Sequence, residues 1–412
     1  MTARPPSGGT RALQDGQHVA ALDGLRGVAI LFVMCFHYVS ATGYGADAFV
    51  TRKIVSIADC MWSGVDLFFV LSGFLITGIL LRAKDTPGYF RNFYMRRVLR
   101  IFPLYYGALV VIFVVVPHVV TAVTPGVQRI YDAQGWLWAY SEDVAIAVHN
   151  EDFFDPDCLW VGHFWSLAVE EHFYLVWPLV VFACSRRALI GTSLGLIVAA
   201  PIVRFAMLAI HMDPAAVYTL TLSRTDELAF GGLLAAMAQR RTYDELARLA
   251  RWCSIGSVTY LVAAVLLLRK PLFWGHWTAL GFGFSALAAG SGALVVFALA
   301  PRPNGLQRIL ETRVLRAFGK YSYGAYVLHT PMQPLYLHLF PPGSLGSLAS
   351  GLGHTGSRLF GLLGFAGLGM AITMLLAMVS FYAYERPFLK LKRYFEYGRA
   401  GEAPATAGQA AS

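Results

Sequence analysis

Charged residues are scarce in this chain. Only 14% of its 412 residues are Asp, Glu, Lys or Arg, while 57% are hydrophobic. Soluble domains carry closer to a quarter charged residues, so the deficit excludes an ordinary soluble fold. Cysteine is also sparse. The five present show no C-x-x-C or comparable spacing, which leaves no sequence basis for a zinc or redox module. The first twenty residues lack an apolar core of their own and carry Arg4, Arg11 and Asp15. They do not read as a cleavable signal, so the first apolar span is expected to serve as an uncleaved anchor. Alternating apolar and polar strands are missing, which disfavours a membrane β-barrel. The net charge of +9 is not a nucleic-acid stripe, because the basic residues gather in particular loops. No nucleic-acid partner is expected.

What the chain does have is long apolar runs from end to end, the mark of an all-α polytopic membrane protein whose surroundings are membrane lipid. Ten spans can be read, near 24–43, 62–82, 101–123, 164–184, 188–210, 226–239, 252–268, 277–300, 320–340 and 358–384. The span 226–239 is short for a bilayer crossing. The segment 134–148 is rejected as a crossing, because Glu142 and Asp143 fall inside it. With the N-terminus cytosolic, most of the 33 Lys and Arg fall on the cytosolic side, and the acidic stretch EDFFDPD, 151–157, falls outside. This predicts about ten transmembrane helices with both termini cytosolic. The division is a disordered N-terminus 1–19, one membrane domain 20–394 and a disordered tail 395–412. The loop 341–357, rich in Gly and Ser, is expected to be flexible.

Ionisable residues inside apolar spans are costly, so they tend to mark function. In LDGLRGVAILFVMCFHY, Arg26 and His37 are eleven residues apart. At about 100° and 1.5 Å per residue they share nearly one helix face, about 16 Å apart. Asp66, Glu170, Glu171, Arg204, Arg224, Asp226 and His329 lie at comparable depth in other spans. Each alone reads as a polar helix-packing group. Together they suggest a polar cavity open to the outside. At the other face, FYMRRVLRIFPLYY puts Arg97 and Arg100 three apart, as helix neighbours. With Arg26 they could grip phosphate by guanidinium forks, or merely anchor the inner face. Trp62, Trp136, Trp138, Trp160 and Trp165 could stack on sugar rings, although interfacial Trp is more often a belt residue. Cys60 and Cys158 would share the outer side, paired or as free thiols.

These motifs resemble the integral-membrane acyltransferase-3 family of acyl-CoA-dependent O-acyltransferases. The likeness rests on Arg-x10-His in the first span, GVDLFFVLSGFLITGIL, the RRVLRIFPLYY run with Arg-x-x-Arg, HFWSLAVEEHFYLVWPL, RTDELAFGGLLA, YSYGAYVLHTP and YERPF, in that order. It departs at His172, where the family usually has Gln, and the hydrolase-like domain that some members carry after the last span is not expected here. The resemblance implies a multi-pass protein of a bacterial inner membrane. It would move an acyl group, often acetyl, from cytosolic acyl-CoA to a hydroxyl of a carbohydrate or lipid-linked acceptor of the cell envelope. It implies no metal.

On that reading Arg26, Arg97 and Arg100 hold the phosphates of the acyl-CoA, and His37 acts as general base with Glu170 orienting it. Asp66, Trp165, Glu171, Arg224, Asp226 and His329 bind substrate or support the site. Direct transfer and an acyl-histidine intermediate both remain open, as do a small acceptor such as a macrolide sugar and a secondary transporter in place of an enzyme.

Overall fold

A computed structural model describes residues 18–40, 42, 44, 49–119, 124–150, 161–268 and 273–397. Among these residues there is no strand. Ten principal helices follow one another: α1 Ala20–Cys35, α2 Gly64–Ala83, α3 Tyr89–Val110, α4 Trp165–Ala183, α5 Arg186–Ala209, α6 Thr225–Ala238, α7 Tyr243–Leu268, α8 Phe284–Ala298, α9 Arg313–Leu328 and α10 Gly353–Ser380. Among the described residues, eight helical stretches are long and apolar enough to cross a membrane. The chain is a multi-pass membrane protein. Of the two other stretches read as spans, 226–239 falls on α6, with 14 residues, and 320–340 is divided by a turn between the end of α9, with 16, and a short helix at Gln333–Leu339. The stretch 134–148 is shared by two shorter helices, Pro125–Trp138 and Glu142–His149.

Exposed Leu, Val and Ile side chains cover the outer faces of α4, α5 and α7, as in Leu175, Val198, Val258 and Leu266. In water such a surface would drive association. Against lipid tails it is the solvated state, so packing between these helices must come from close fit. Two pairs of helices meet at glycine. Gly73 of α2 and Gly231 of α6 each lie against backbone of the facing helix, so that an added Cβ would fall 1.9 Å from the Leu228 carbonyl oxygen or 2.1 Å from that of Val70. Gly27 of α1 and Gly319 of α9 meet in the same way over Leu315 and Asp23. The short α6 is thereby locked to α2 and buried on nearly all sides.

A substitution pair tests this packing. Gly73→Ala must push two backbones apart, and should cost at least the roughly 1–3 kcal/mol typical of overpacking. Its melting temperature in detergent should drop. Gly195→Ala of α5, where no atom lies within 4 Å of the added Cβ, should leave it unchanged or raise it slightly. Equal melting for both variants would refute the close approach.

The loop 341–357 departs from expectation. Rather than flexible chain, it forms a helix at Pro342–Ser347, a 3-10 turn at Ser350–Leu352 and the start of α10. Its glycines let it lie flat on α10: Gly361 sits against the Pro342 carbonyl, and Ser357 Oγ donates to Gly346 O at 2.7 Å. The acidic stretch 151–157, Cys158 and Trp160, and the segments 1–17 and 398–412 of the expected disordered ends, lie outside the described residues.

Candidate active site

The RRVLR run starts about two turns into α3, and Arg26 lies in the first half of α1. The fold brings Arg26, Arg97 and Arg100 together around one cavity of about 100 Å³. Ser72 of α2, Glu170, Glu171 and Tyr174 of α4, and Tyr323 and Tyr326 of α9 line it as well. The same three arginines also line a wider vestibule of about 790 Å³, together with Arg313, Arg316, Lys320 and Lys392. They therefore stand at the boundary between two adjoining spaces. Only Arg26 has a carboxylate neighbour, Asp23 at 3.6 Å. Among the described residues Arg97 and Arg100 have no carboxylate within ion-pair distance, and Arg97 Nε is buried without a hydrogen-bond partner. Guanidinium groups left this way in a recess can pair with an anion from outside the chain.

Glu170 is engaged on the cavity wall. Its Oε1 accepts from Ser72 Oγ at 2.7 Å and its Oε2 from Tyr174 Oη at 2.9 Å. Tyr174 is one helical turn away on α4, so the pair follows from helix geometry. Glu171 keeps a buried Oε1 without a partner. Glu170 makes no hydrogen bond to His37, which corrects the expectation that it orients that imidazole.

His37 instead meets two other histidines. It lies in a π-helical turn, Phe36–Ser40, that continues α1, and Gln333 donates to its carbonyl at 2.9 Å. Its Nδ1 is 2.9 Å from Val33 O and 3.3 Å from His329 Nε2. His329 Nδ1 is 2.6 Å from Tyr326 O. A carbonyl only accepts, so both Nδ1 atoms carry the proton. His329 Nε2 is then an acceptor toward His37, and His37 Nε2 holds a lone pair with no hydrogen-bond partner among the described residues. This is the tautomer a general base needs. The ring of His329 is 4.8 Å from that of His37 and 4.8 Å from that of His163, the latter held by Thr330 Oγ1 at 2.5 Å. His163 escaped sequence reasoning. It stands three residues before Ser166 in GHFWS, just ahead of α4, and nothing local in the sequence ties it to α9.

A thin layer parts this histidine row from the arginine cavity. Tyr326 and Ser166 line the cavity and are hydrogen-bonded to each other, and Tyr326 Oη also donates to His163 O at 3.1 Å.

The other ionisable residues form closed pairs. Arg224, fully buried, faces Asp66 at 3.1 Å and Glu227 at 3.0 Å, and stacks over Phe284 at 4.1 Å. Arg204 holds Asp226 through both nitrogens at 3.0 and 2.9 Å, with Ser285 added to the network. Asp66, Arg224 and Asp226 line neither cavity. They tie α2, α5, α6 and α8 together. Trp165 is buried beneath Arg224 and against Tyr218, and Trp62 lies between Tyr218 and Phe284, so neither offers an open face to a sugar. The single polar cavity expected from these residues is thus divided into a closed ionic support and the arginine site. His172 has a visible use. Its Nδ1 meets Thr221 Oγ1 at 2.7 Å, and Asp143 accepts from the same hydroxyl at 2.6 Å. This joins α4 to the short helix Glu142–His149. Burial beside Asp143 pushes the Glu142 carboxyl well above the usual carboxylate range.

Among the described residues these elements define an all-helical membrane bundle with a guanidinium-lined recess, and a histidine further along the helix that carries Arg26. The chain belongs to the acyltransferase-3 family, whose profile, described as an acyltransferase domain, matches residues 19–382. It is 28% identical over 339 residues to a Bacillus subtilis protein provisionally named peptidoglycan O-acetyltransferase YrhL, covering 77% of this chain and 49% of the relative. It is 27% identical over 340 residues to the peptidoglycan O-acetyltransferase OatA of Listeria monocytogenes, again covering 77% and 49%. A Staphylococcus aureus protein provisionally named O-acetyltransferase SACOL0978 is 26% identical over 342 residues, covering 76% and 50%. The chain spans about half the length of these curated relatives. No solved structure matches it.

Proposed function

We propose that this protein is a membrane-bound O-acyltransferase. It moves an acyl group, acetyl by analogy with the names of its relatives, from acyl-CoA to a hydroxyl of a cell-envelope carbohydrate, peptidoglycan being the first candidate. The observation that carries this reading is the shared position of Arg26, Arg97 and Arg100 at the junction of two cavities. Phosphates of the donor rest there. The slender thioester arm reaches past the Tyr326–Ser166 layer toward His37, about 16 Å along α1.

The chemistry then follows from His37. Its Nε2 takes the proton of the acceptor hydroxyl as the oxygen attacks the thioester carbon. The C–O bond forms, the C–S bond breaks, and the proton passes from His37 to the CoA sulfur. Glu170 and Glu171 line the cavity beside the three guanidinium groups, with Ser72 and Tyr174 fixing the carboxyl of Glu170. His329 holds the tautomer of His37. Direct transfer is favoured because every group it needs is already assigned. The vestibule faces the cytosol of a bacterium in this reading, with ten crossings and both termini inside.

The test is transfer of label from radioactive acetyl-CoA to peptidoglycan fragments by the purified protein in proteoliposomes. One CoA should be released per acetyl group on the acceptor. Solute uptake with the thioester intact would mark a carrier and refute the proposal.

A further inference from the structure

We propose that the outer vestibule is a recognition site for the adenosine 3′,5′-bisphosphate end of the donor, and that Arg313 and Arg316 select for its 3′-phosphate. This deepens the acyl-CoA reading and rests on it. The three arginines at the boundary lie nearest the inner cavity, so they meet the part of the donor next to the thioester arm, the 5′-pyrophosphate. The vestibule then continues along α9, whose residues from Arg313 to Tyr321 line it. Its wall carries four more cations, Arg313, Arg316 and Lys320 of α9 and Lys392 beyond α10. None has a carboxylate within ion-pair distance among the described residues, and the sole acid lining the space, Asp23, is engaged by His18 at 2.6 Å. Such an excess of cations in one recess calls for several negative charges at once.

The second observation is aromatic. Tyr321 and Phe381 line the same vestibule, with ring centroids 5.3 Å apart, and Lys320 lies over them at 4.9 and 5.2 Å. Their planes cross at 80° and Tyr321 is buried, so a planar base would rest on the Phe381 ring alone, among the cations that would hold its phosphates. Arg313 and Arg316 are three apart on α9, so both forks turn to one face. Ser322, Tyr323 and Tyr326 of α9 line the inner cavity, and Arg313 lies ten residues before Tyr323, about 15 Å along the helix, so the two arginines suit the phosphate farther from the thioester.

Binding of CoA, dephospho-CoA and adenosine 3′,5′-bisphosphate to the protein in neutral detergent tests this. Wild type should bind CoA at least tenfold tighter than dephospho-CoA, since charge-assisted bonds to one phosphate contribute roughly 10- to 100-fold. It should also bind the bisphosphate alone. In Arg313→Ala/Arg316→Ala the ratio should fall toward one while dephospho-CoA affinity is unchanged. Both arginines are exposed and unpaired, so the fold should survive, and an unshifted melting temperature verifies it. Equal binding of CoA and dephospho-CoA by wild type would overturn the 3′-phosphate site and leave the donor reading standing. An equal loss of both ligands in the variant would also overturn it, reducing the two arginines to a diffuse positive field. Binding of neither by wild type would overturn the donor reading itself.

Discussion

Replacing His37 with Gln should lower the rate of acyl transfer by about 10² to 10⁴, the range lost with a positioned general base. The Michaelis constant for acetyl-CoA should scarcely move. On the proposed reading the donor phosphates rest on Arg26, Arg97 and Arg100, which His37 does not touch. A change in turnover without a change in donor binding separates chemistry from positioning. The bonds around His37 make the assignment specific. Val33 and His329 hold the proton on Nδ1, which leaves Nε2 as the base. A variant with normal turnover would remove His37 from the reaction. One with a large rise in the Michaelis constant alone would make it a binding residue.

Replacing Arg224 with Met should destabilise the protein by about 3–5 kcal/mol, because Asp66 and Glu227 would keep buried charge without a counter-ion. All three side chains are fully buried. The lost contact with the Phe284 ring at 4.1 Å adds to the effect. Thermal melting in detergent reads it directly. Removing the carboxylates together with the cation, as Arg224→Met/Asp66→Asn/Glu227→Gln, should recover much of the loss, since the penalty comes from the unpaired charge. If Arg224→Met melted like wild type, the ionic network would not be what joins α2 to α6.

The sequence reveals these groups to different degrees, for physical reasons. Arg26, Arg97 and Arg100 are legible because a charged residue at the mouth of an apolar run has few places to go, and spacing by three fixes a shared face. The membrane class is legible for the same reason, since a long apolar run without charge has one stable environment. The partner of Glu170 is not legible. Whether its carboxylate meets His37 or Ser72 depends on the rotation of α4 against α2, which apolar spans leave free in the sequence. The meeting of His37 with His329 and His163 depends on α9 packing against α1 through Gly27 and Gly319. Composition misleads at 341–357. Glycine there reads as freedom, but it permits close contact with α10. The closed pairing of Arg204 with Asp226, and of Arg224 with Asp66, likewise needs the third dimension to tell a lined cavity from a filled one.

One reaction tests the central claim most directly. CoA release and acceptor labelling would be followed together from radioactive acetyl-CoA, with wild type and His37→Gln in the same detergent. The expected result is one CoA per labelled acceptor in wild type, and loss of both signals in the variant. Equal CoA release and labelling in the two proteins would contradict the account.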